Sequence, residues 1–272
     1  VKHKISTKMK WKELIEDCAW VAEDMLTREE CEYFLQRASE LDIQSKKSAG
    51  DIRHRDSISV KFDDEDFART LFERIKGHIP QEVWVDEQCD NLGLKHSKNL
   101  LYGKWTPYAL NFRCQVACYP GKGHFGPHRD GGYVVDEHHR SLITVNSFLT
   151  DRPSGFGGAT RFVKDDIVAD INEDGIISTS ECDVLHRVDA ERAGTASIFF
   201  HDLMHDGEPL KEGSPPKWIF RTEVMYERDP TTAPQLSQAQ KEARKYLSRA
   251  EVAETNGDIA GAMKFYKMAY KL

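Results

Sequence analysis

The sequence predicts an α+β protein with a double-stranded β-helix core, that is, a cupin-like jelly roll. Short apolar strands, glycine turns between them and helical periodicity near the two ends of the chain together indicate this fold class. Short strands joined by glycine turns are what a jelly roll requires. The candidate strands are Phe112–Tyr119, Ser141–Leu149, Gly194–Phe200 and Trp218–Tyr226, with a further turn and strand at 157–162.

Composition limits the class of protein. A chain of 272 residues, 39% apolar and 31% charged, suffices for one large domain with or without an appendage. A net charge of −7 argues against non-specific nucleic-acid binding. No membrane span or signal peptide is evident, and six scattered cysteines without a C-x-x-C pair favour a reducing compartment. We therefore expect a cytoplasmic or nuclear protein, although a chain beginning at Val1 leaves an upstream targeting segment open.

The region 1–110 is predicted to be a helical support for the core. Residues 1–10 should be frayed, and two helical segments are expected from Trp11 to Leu41, the second opened by a capping box of Thr27 and Glu30. Asp64 to Ile79 has the pattern of another amphipathic helix. The polar segment 43–57 is either a lid over the site or an ordinary solvated loop.

The end of the chain differs in character from the core. Residues 228–237 contain proline and threonine and indicate a linker. Residues 238–272 show two helical patterns in which Ala250 and Ala262 are among the small residues at helical spacing. This segment resembles a single tetratricopeptide-type hairpin. Such a hairpin would either bind a protein partner or pack on the rest of the chain.

The strongest chemical signal is a candidate metal site. Alternation along an extended chain puts His128 and Asp130 on one face, and His205 is delivered by a distant strand. Two imidazoles and one carboxylate form the facial set that suits non-haem Fe(II) with open coordination positions. His138 and His139 are adjacent and point to opposite faces, so they form a poorer site, beside which Tyr133 or Arg140 could touch a substrate. His124, His186 and His201 are interpreted as structural or surface residues, and Cys114 and Cys118 as core residues rather than zinc ligands.

The sequence between Val21 and Glu227 resembles the prolyl 4-hydroxylase-type branch of the Fe(II)/2-oxoglutarate dioxygenases. The likeness rests on YALNFRCQVACYPGKGHFGPHRDGGYV, RSLITVNSFL, FGGATRF, ASIFFHDLMHDGEPL and KWIFRTEVMYE. It implies an oxygenase core at 111–227 with His128, Asp130 and His205 as iron ligands and Tyr119 facing 2-oxoglutarate. Either Lys217 or Arg221 would bind the distal carboxylate of that co-substrate.

The same resemblance implies a reaction. Iron, 2-oxoglutarate and O2, with ascorbate as reductant, would hydroxylate a C–H bond and release succinate and CO2. A prolyl residue in a peptide or protein is the expected substrate. Lysine, another side chain or a small molecule stays open as an alternative. So does a different class of function, a calcium-responsive interaction module on an inactive oxygenase scaffold.

Residues 170–181, DINEDGIISTSE, match the twelve-residue calcium loop of EF-hands at every specified position. Carboxylate, amide, hydroxyl and backbone oxygens at these spacings are the hard ligands that Ca²⁺ takes, and Gly175 permits the sharp bend. The loop stands alone, as an insertion between core strands without long flanking helices, so a polar surface loop is the alternative. The predicted calcium ligands are Asp170, Asn172, Asp174, Ile176 (backbone carbonyl), Ser178 and Glu181.

Overall fold

The structure is a computed structural model that describes residues 9–46, 51–167, 170–173 and 175–271. Of the segment 1–10 predicted to be frayed, residues 1–8 lie outside this range, and Lys10 begins a strand. Part of the predicted loop, 47–50, also lies outside the described residues. The helices are α1 (Arg28–Glu40), α2 (Glu65–Ile75), α3 (Lys98–Leu101), α4 (Gln238–Thr255) and α5 (Ile259–Ala269). The strands are β1 (Lys10–Ile15), β2 (Ala19–Glu23), β3 (Arg55–Asp56), β4 (Ile58–Asp63), β5 (Val83–Val85), β6 (Gly103–Leu110), β7 (Arg113–Tyr119), β8 (His124–His128), β9 (His139–Phe148), β10 (Thr160–Val163), β11 (Asp170–Ile171), β12 (Ile177–Ser178), β13 (Val184–Val188), β14 (Ala196–Phe200), β15 (His205–Gly207) and β16 (Lys217–Arg228).

Two antiparallel sheets form the jelly-roll core. The larger sheet runs β1-β2-β14-β9-β16-β6-β5, and β7 joins it by pairing with β16 on one side and β4 on the other. The smaller sheet runs β13-β10-β15-β8-β3. The long strand β16 pairs along one edge with β9 and along the other with β7 and then β6. The predicted α+β class and jelly-roll core are confirmed.

The N-terminal region differs from the prediction. Residues 11–23 were expected to be helical, but they belong to the hairpin β1–β2, and β2 pairs with β14 at the edge of the larger sheet. The buried residues Ala19, Trp20 and Ala22 pack here as strand residues. Tertiary pairing thus overrides a weak helical pattern. Helix α1 begins after Thr27 with the predicted capping box, in which Glu30 N–H donates to Thr27 Oγ1 (3.2 Å) and Thr27 N–H to Glu30 Oε2 (2.9 Å).

Helices α1 and α2 pack on the outer face of the larger sheet through aromatic side chains. The ring of Phe34 lies 4.7 Å from Phe67 and 4.4 Å from Phe220, measured between centroids. All three side chains are fully buried. A buried ion pair between Arg74 and Glu30, 2.7 Å long, joins the two helices. These contacts fix the sheet whose opposite face carries the candidate site.

The predicted helical pair near the end of the chain is present as α4 and α5. It packs on the core through two arginines. Arg140 Nη2 lies 2.7 Å from Glu251 Oε2, and Arg244 donates to the carbonyl oxygens of Asn99 and Leu100. In the part of the chain that the structure describes, no helix has the length and apolar character needed to traverse a bilayer.

Candidate active site

Two neighbouring strands of the smaller sheet bring the predicted metal ligands together. His128 ends β8, His205 begins β15, and the two residues are direct cross-strand partners. Asp130 lies two residues after the end of β8. The ligand atoms of the three residues lie within 4.8 Å of one another, and no other group of three His, Cys, Asp or Glu side chains converges this way among the described residues.

Hydrogen bonds fix the orientation of each of the three side chains. His128 Nδ1 bonds to the Gly126 carbonyl (2.8 Å) and His205 Nδ1 to the Leu203 carbonyl (2.9 Å), so both Nε2 atoms face the centre. His128 Nε2 lies 3.7 Å from Asp130 Oδ1, and His205 Nε2 lies 3.8 Å from Asp130 Oδ2. Two nitrogens and one oxygen in this arrangement fit Fe(II) and leave coordination positions for other ligands.

Burial and charge keep these groups in the protonation states that a metal needs. Burial, together with the neighbouring His205, lowers the pKa of His128 to about 3, so its imidazole is neutral at physiological pH. Burial alone would raise the pKa of Asp130, but Arg221 and the two imidazoles outweigh it and hold that pKa below its usual range. Thr144 Oγ1 donates to Asp130 Oδ2 at 2.6 Å. Neutral imidazoles and an ionised carboxylate are the ligating forms.

The triad opens into a cavity of about 260 Å³ whose far wall is the inner face of the larger sheet. Strand register arranges that face in rows. Gln115 lies opposite Arg221, and Arg221 opposite Asn146, so these three side chains form a polar row across β7, β16 and β9. Two residues before Arg221 on β16, the next row of side chains is apolar, with Ile219 opposite Ala117. Two residues further in the same direction, Lys217 lies opposite Tyr119. All of these residues line the cavity.

Lys217 is buried in this cavity and forms no ion pair with an acidic residue in the part of the chain that the structure describes. Its Nζ donates to the Gly158 carbonyl (3.0 Å) and lies 4.3 Å from the centroid of the Tyr119 ring. Burial, together with Arg152, lowers the pKa of Lys217 to about 7. Gly158 has φ +87°, and a Cβ there would lie 3.3 Å from Lys217 Cδ, so glycine keeps this space open.

Arg221, the competing cation, is already neutralised. Its Nη2 lies 3.3 Å from Asp130 Oδ1 and 3.2 Å from Glu223 Oε1. Burial would lower the pKa of Arg221, but Asp130 and Glu223 raise it overall. Of the two residues predicted to bind the distal carboxylate, Lys217 rather than Arg221 therefore has an ion-pair partner to gain.

Comparison with known proteins agrees with this geometry. A profile of the 2OG-Fe(II) oxygenase superfamily matches residues 114–222, which include all three triad residues. Residues 114–222 form a 2OG-Fe(II) oxygenase domain. The predicted enzyme class, a 2-oxoglutarate-dependent dioxygenase, is confirmed. A search of curated proteins found no match.

Solved structures similar to this oxygenase chain include three prolyl hydroxylases. The viral collagen prolyl hydroxylase of Paramecium Bursaria Chlorella virus-1 is 17% identical, with a TM-score of 0.42 over 76% of this chain and 95% of that chain. A Pseudomonas putida prolyl-4-hydroxylase is 16% identical, with a TM-score of 0.45 over 78% and 92%. A Trichoplax adhaerens prolyl hydroxylase, in complex with a hypoxia inducible factor peptide fragment, is 13% identical, with a TM-score of 0.46 over 77% and 84%.

The other histidines of the oxygenase lie outside the triad. His139 Nδ1 bonds to Asp136, and His138 Nδ1 accepts from Arg228, so these neighbours serve different partners. His124 is buried and bonds to two backbone carbonyls, while His186 is exposed. His201 is buried, and neither of its ring nitrogens has a hydrogen-bond partner within the described residues. Cys114 and Cys118 are buried and free, as expected of core residues.

The predicted calcium loop is a short hairpin rather than a helix–loop–helix. Strands β11 and β12 pair, and Asn172 Oδ1 accepts the N–H of Ile176 (2.9 Å). Glu181, the predicted bidentate ligand, forms an ion pair with Arg161 at 2.7 Å. Asp174 lies outside the described residues. The hairpin touches the site region, because Ile177 N–H donates to the carbonyl oxygen of Arg53, just before β3.

Several residues of the site escaped the sequence interpretation. Thr144, Gln115 and Asn146 come from two strands that were recognised only as core strands. These polar residues alternate with apolar neighbours in the sequence, which could have indicated a polar inner face of the sheet. Only the pairing of β16 with β7 and β9 shows that Gln115 and Asn146 flank Arg221. Asn146 Oδ1 is buried without a hydrogen-bond partner among the described residues.

Proposed function

We propose that the protein hydroxylates a C–H bond of a prolyl residue in a peptide or protein, with conversion of 2-oxoglutarate to succinate and CO2. One observation supports the proposal: the His128–Asp130–His205 triad opens into the same cavity as Lys217, a buried amine without an ion-pair partner among the described residues. A dianionic keto acid complements that combination. The prolyl substrate follows from the resemblance of the motifs to the prolyl 4-hydroxylase-type branch.

In this proposal the chain supplies binding and orientation. His128, Asp130 and His205 hold Fe(II), which supplies the oxidising chemistry when bound with O2. Lys217 binds the distal carboxylate of 2-oxoglutarate, and the hydroxyl of Tyr119 contacts the same end. Asn146, on the polar row nearer the triad, offers N–H donors to the keto-acid end. Arg221 holds Asp130 in place and separates it from Glu223.

The choice of Lys217 over Arg221 rests on charge balance. A carboxylate arriving at Arg221 would compete with Asp130 and Glu223, which already occupy it. Burial lowers the pKa of the Lys217 amine. A carboxylate that binds beside this amine stabilises its ammonium form. Buried charges are stable when paired, so Lys217 gains most from the co-substrate.

The test is succinate formation from 2-oxoglutarate with Fe(II) and ascorbate, with and without proline-containing peptides. We expect peptide-stimulated turnover and a product heavier by one oxygen atom on proline. His128→Ala should abolish turnover, whereas His138→Ala, a histidine outside the triad, should retain it. Oxygen found on another residue or on a small molecule would refute the prolyl assignment. A protein that binds no Fe(II) would instead support the interaction module.

Calcium binding by residues 170–181 belongs to the same proposal, and it rests on the match of the loop sequence. A bound Ca²⁺ would draw Glu181 away from Arg161, whose guanidinium is also paired with Asp206, the residue after His205. Calorimetry with Glu181→Gln and with Asp170→Asn tests it, since the second variant leaves the Glu181–Arg161 pair intact. Unchanged calcium affinity in both variants would contradict the assignment.

A further inference from the structure

A second, larger cavity of about 440 Å³ adjoins the metal site. Asp130, Gly131 and Arg221 line both this cavity and the smaller one, so the two are parts of one cleft. The outer wall of the larger cavity is formed by α4 and α5, through Glu251, Glu254 and Tyr266. Residues far from the oxygenase domain in sequence thus face the approach to its metal site.

The outer wall is held in place by polar contacts with the core. Arg140 and Glu251 pair at 2.7 Å with side chains only 10% and 19% exposed. Arg244 donates both to Asn99 and to Leu100, whose carbonyls precede β6. A largely buried ion pair and two arginine–carbonyl hydrogen bonds indicate a fixed position for the hairpin rather than a loose tail.

Two carboxylates that line the cavity have only neutral partners. Glu254 Oε2 accepts the hydroxyl of Tyr266 at 2.8 Å. Asp202 accepts the N–H (2.6 Å) and the hydroxyl (2.7 Å) of Ser97. Within the described ranges, neither carboxylate forms an ion pair. They do not belong to a second metal site either. Among the described residues, only the triad brings three His, Cys, Asp or Glu side chains close enough to bind one ion.

His201, on the inner wall of the same cavity, points independently to a ligand. Its side chain belongs to a residue that is 7% exposed, yet neither ring nitrogen has a hydrogen-bond partner among the described residues. A neutral imidazole ring offers one donor and one acceptor. A peptide group, with its N–H and C=O, is the complement of such a ring.

We infer that the cavity between the oxygenase domain and the α4–α5 hairpin binds the substrate chain next to the residue that is oxidised, and that it selects a lysine or arginine side chain there. The peptide backbone passes His201, and the basic side chain reaches Glu254 and Asp202. The net charge of −7 favours approach of such a substrate. This inference rests on the peptide substrate proposed above and specifies that a positively charged residue lies next to the residue that is oxidised.

The test measures binding, so that it does not depend on which residue is oxidised. The enzyme is loaded with Mn(II) and 2-oxoglutarate, and fluorescent proline decapeptides carry one lysine at successive positions on either side of the proline. The same peptides with acetyl-lysine match the length without the charge. The key variant is Glu254→Gln. Glu242→Gln is the matched control, since Glu242 is an exposed residue of α4 that does not line the cavity.

We expect the lysine peptide to bind at least threefold more tightly than its acetyl-lysine form at one or two positions. Glu254→Gln should remove that preference and Glu242→Gln should keep it, and Asp202→Asn should weaken it independently. The inference is overturned if the lysine peptide binds no more tightly than its acetyl-lysine form at any position. It is also overturned if Glu254→Gln and Glu242→Gln show the same preference for lysine. Succinate formation by the Fe(II)-loaded enzyme is measured in parallel with the same peptides. Absence of turnover with every peptide would refute the proposed function, whereas turnover without a lysine preference in binding would refute this inference alone.

Discussion

Proton uptake should accompany 2-oxoglutarate binding because of Lys217. In the free cavity the pKa of this amine lies at about 7, so raising the pH above that value leaves it increasingly neutral. A bound carboxylate favours the ammonium form and raises the pKa, so above that pH each binding event takes up a proton. From about pH 7 to about pH 8.5, affinity should fall about 15-fold if the pKa in the complex exceeds about 10.

Calorimetry on the Mn(II)-loaded enzyme tests this reasoning. Binding enthalpies in two buffers of different ionisation enthalpy give the number of protons taken up, which should rise from about one half at pH 7 to about one at pH 8.5. Lys217→Arg is the control, because a guanidinium stays protonated throughout and should bind without proton uptake. Affinity that is independent of pH in the wild type, or an equal slope in Lys217→Arg, would refute the role of Lys217.

Three further predictions concern the metal site and its support. Thr144→Val removes the 2.6 Å bond to Asp130 and should weaken metal binding about tenfold or more, measured by competition with a chelator. Arg161→Met leaves the buried Asp206 carboxylate unpaired and should lower the free energy of unfolding by about 3–5 kcal/mol in urea titrations; a wild-type midpoint would contradict this. Phe220→Ala should cost about 3–5 kcal/mol by leaving a cavity, with metal affinity of the folded protein unchanged.

The core of the fold could be predicted because local signals agreed with the tertiary structure. The strands before and after the metal-binding stretch carry apolar residues and end at glycine turns, and Thr27 with Glu30 marks the start of α1. The triad residues could be named because a His-x-Asp pair and a later histidine follow strands of the expected order. The structure brings His128, Asp130 and His205 together.

What could not be predicted depends on contacts between distant parts of the chain. Residues 10–23 form a hairpin because β14 offers an edge to pair with, and nothing local to those residues reports that edge. The choice between Lys217 and Arg221 needed the positions of Asp130 and Glu223. The relation of Glu254 to the metal site depends on how α4 packs on the core, through an ion pair between Glu251 and Arg140, which are 111 residues apart in sequence.

The packing of the α4–α5 hairpin also has a consequence for biosynthesis. The chain emerges from the ribosome in order, so residues 114–222 are complete before residues 238–271 are made. The triad and the Lys217 cavity can therefore fold and take up metal while the outer wall of the cleft is still missing. At that stage the nascent oxygenase lacks the outer wall of the larger cavity, and docking of Glu251 on Arg140 completes that wall.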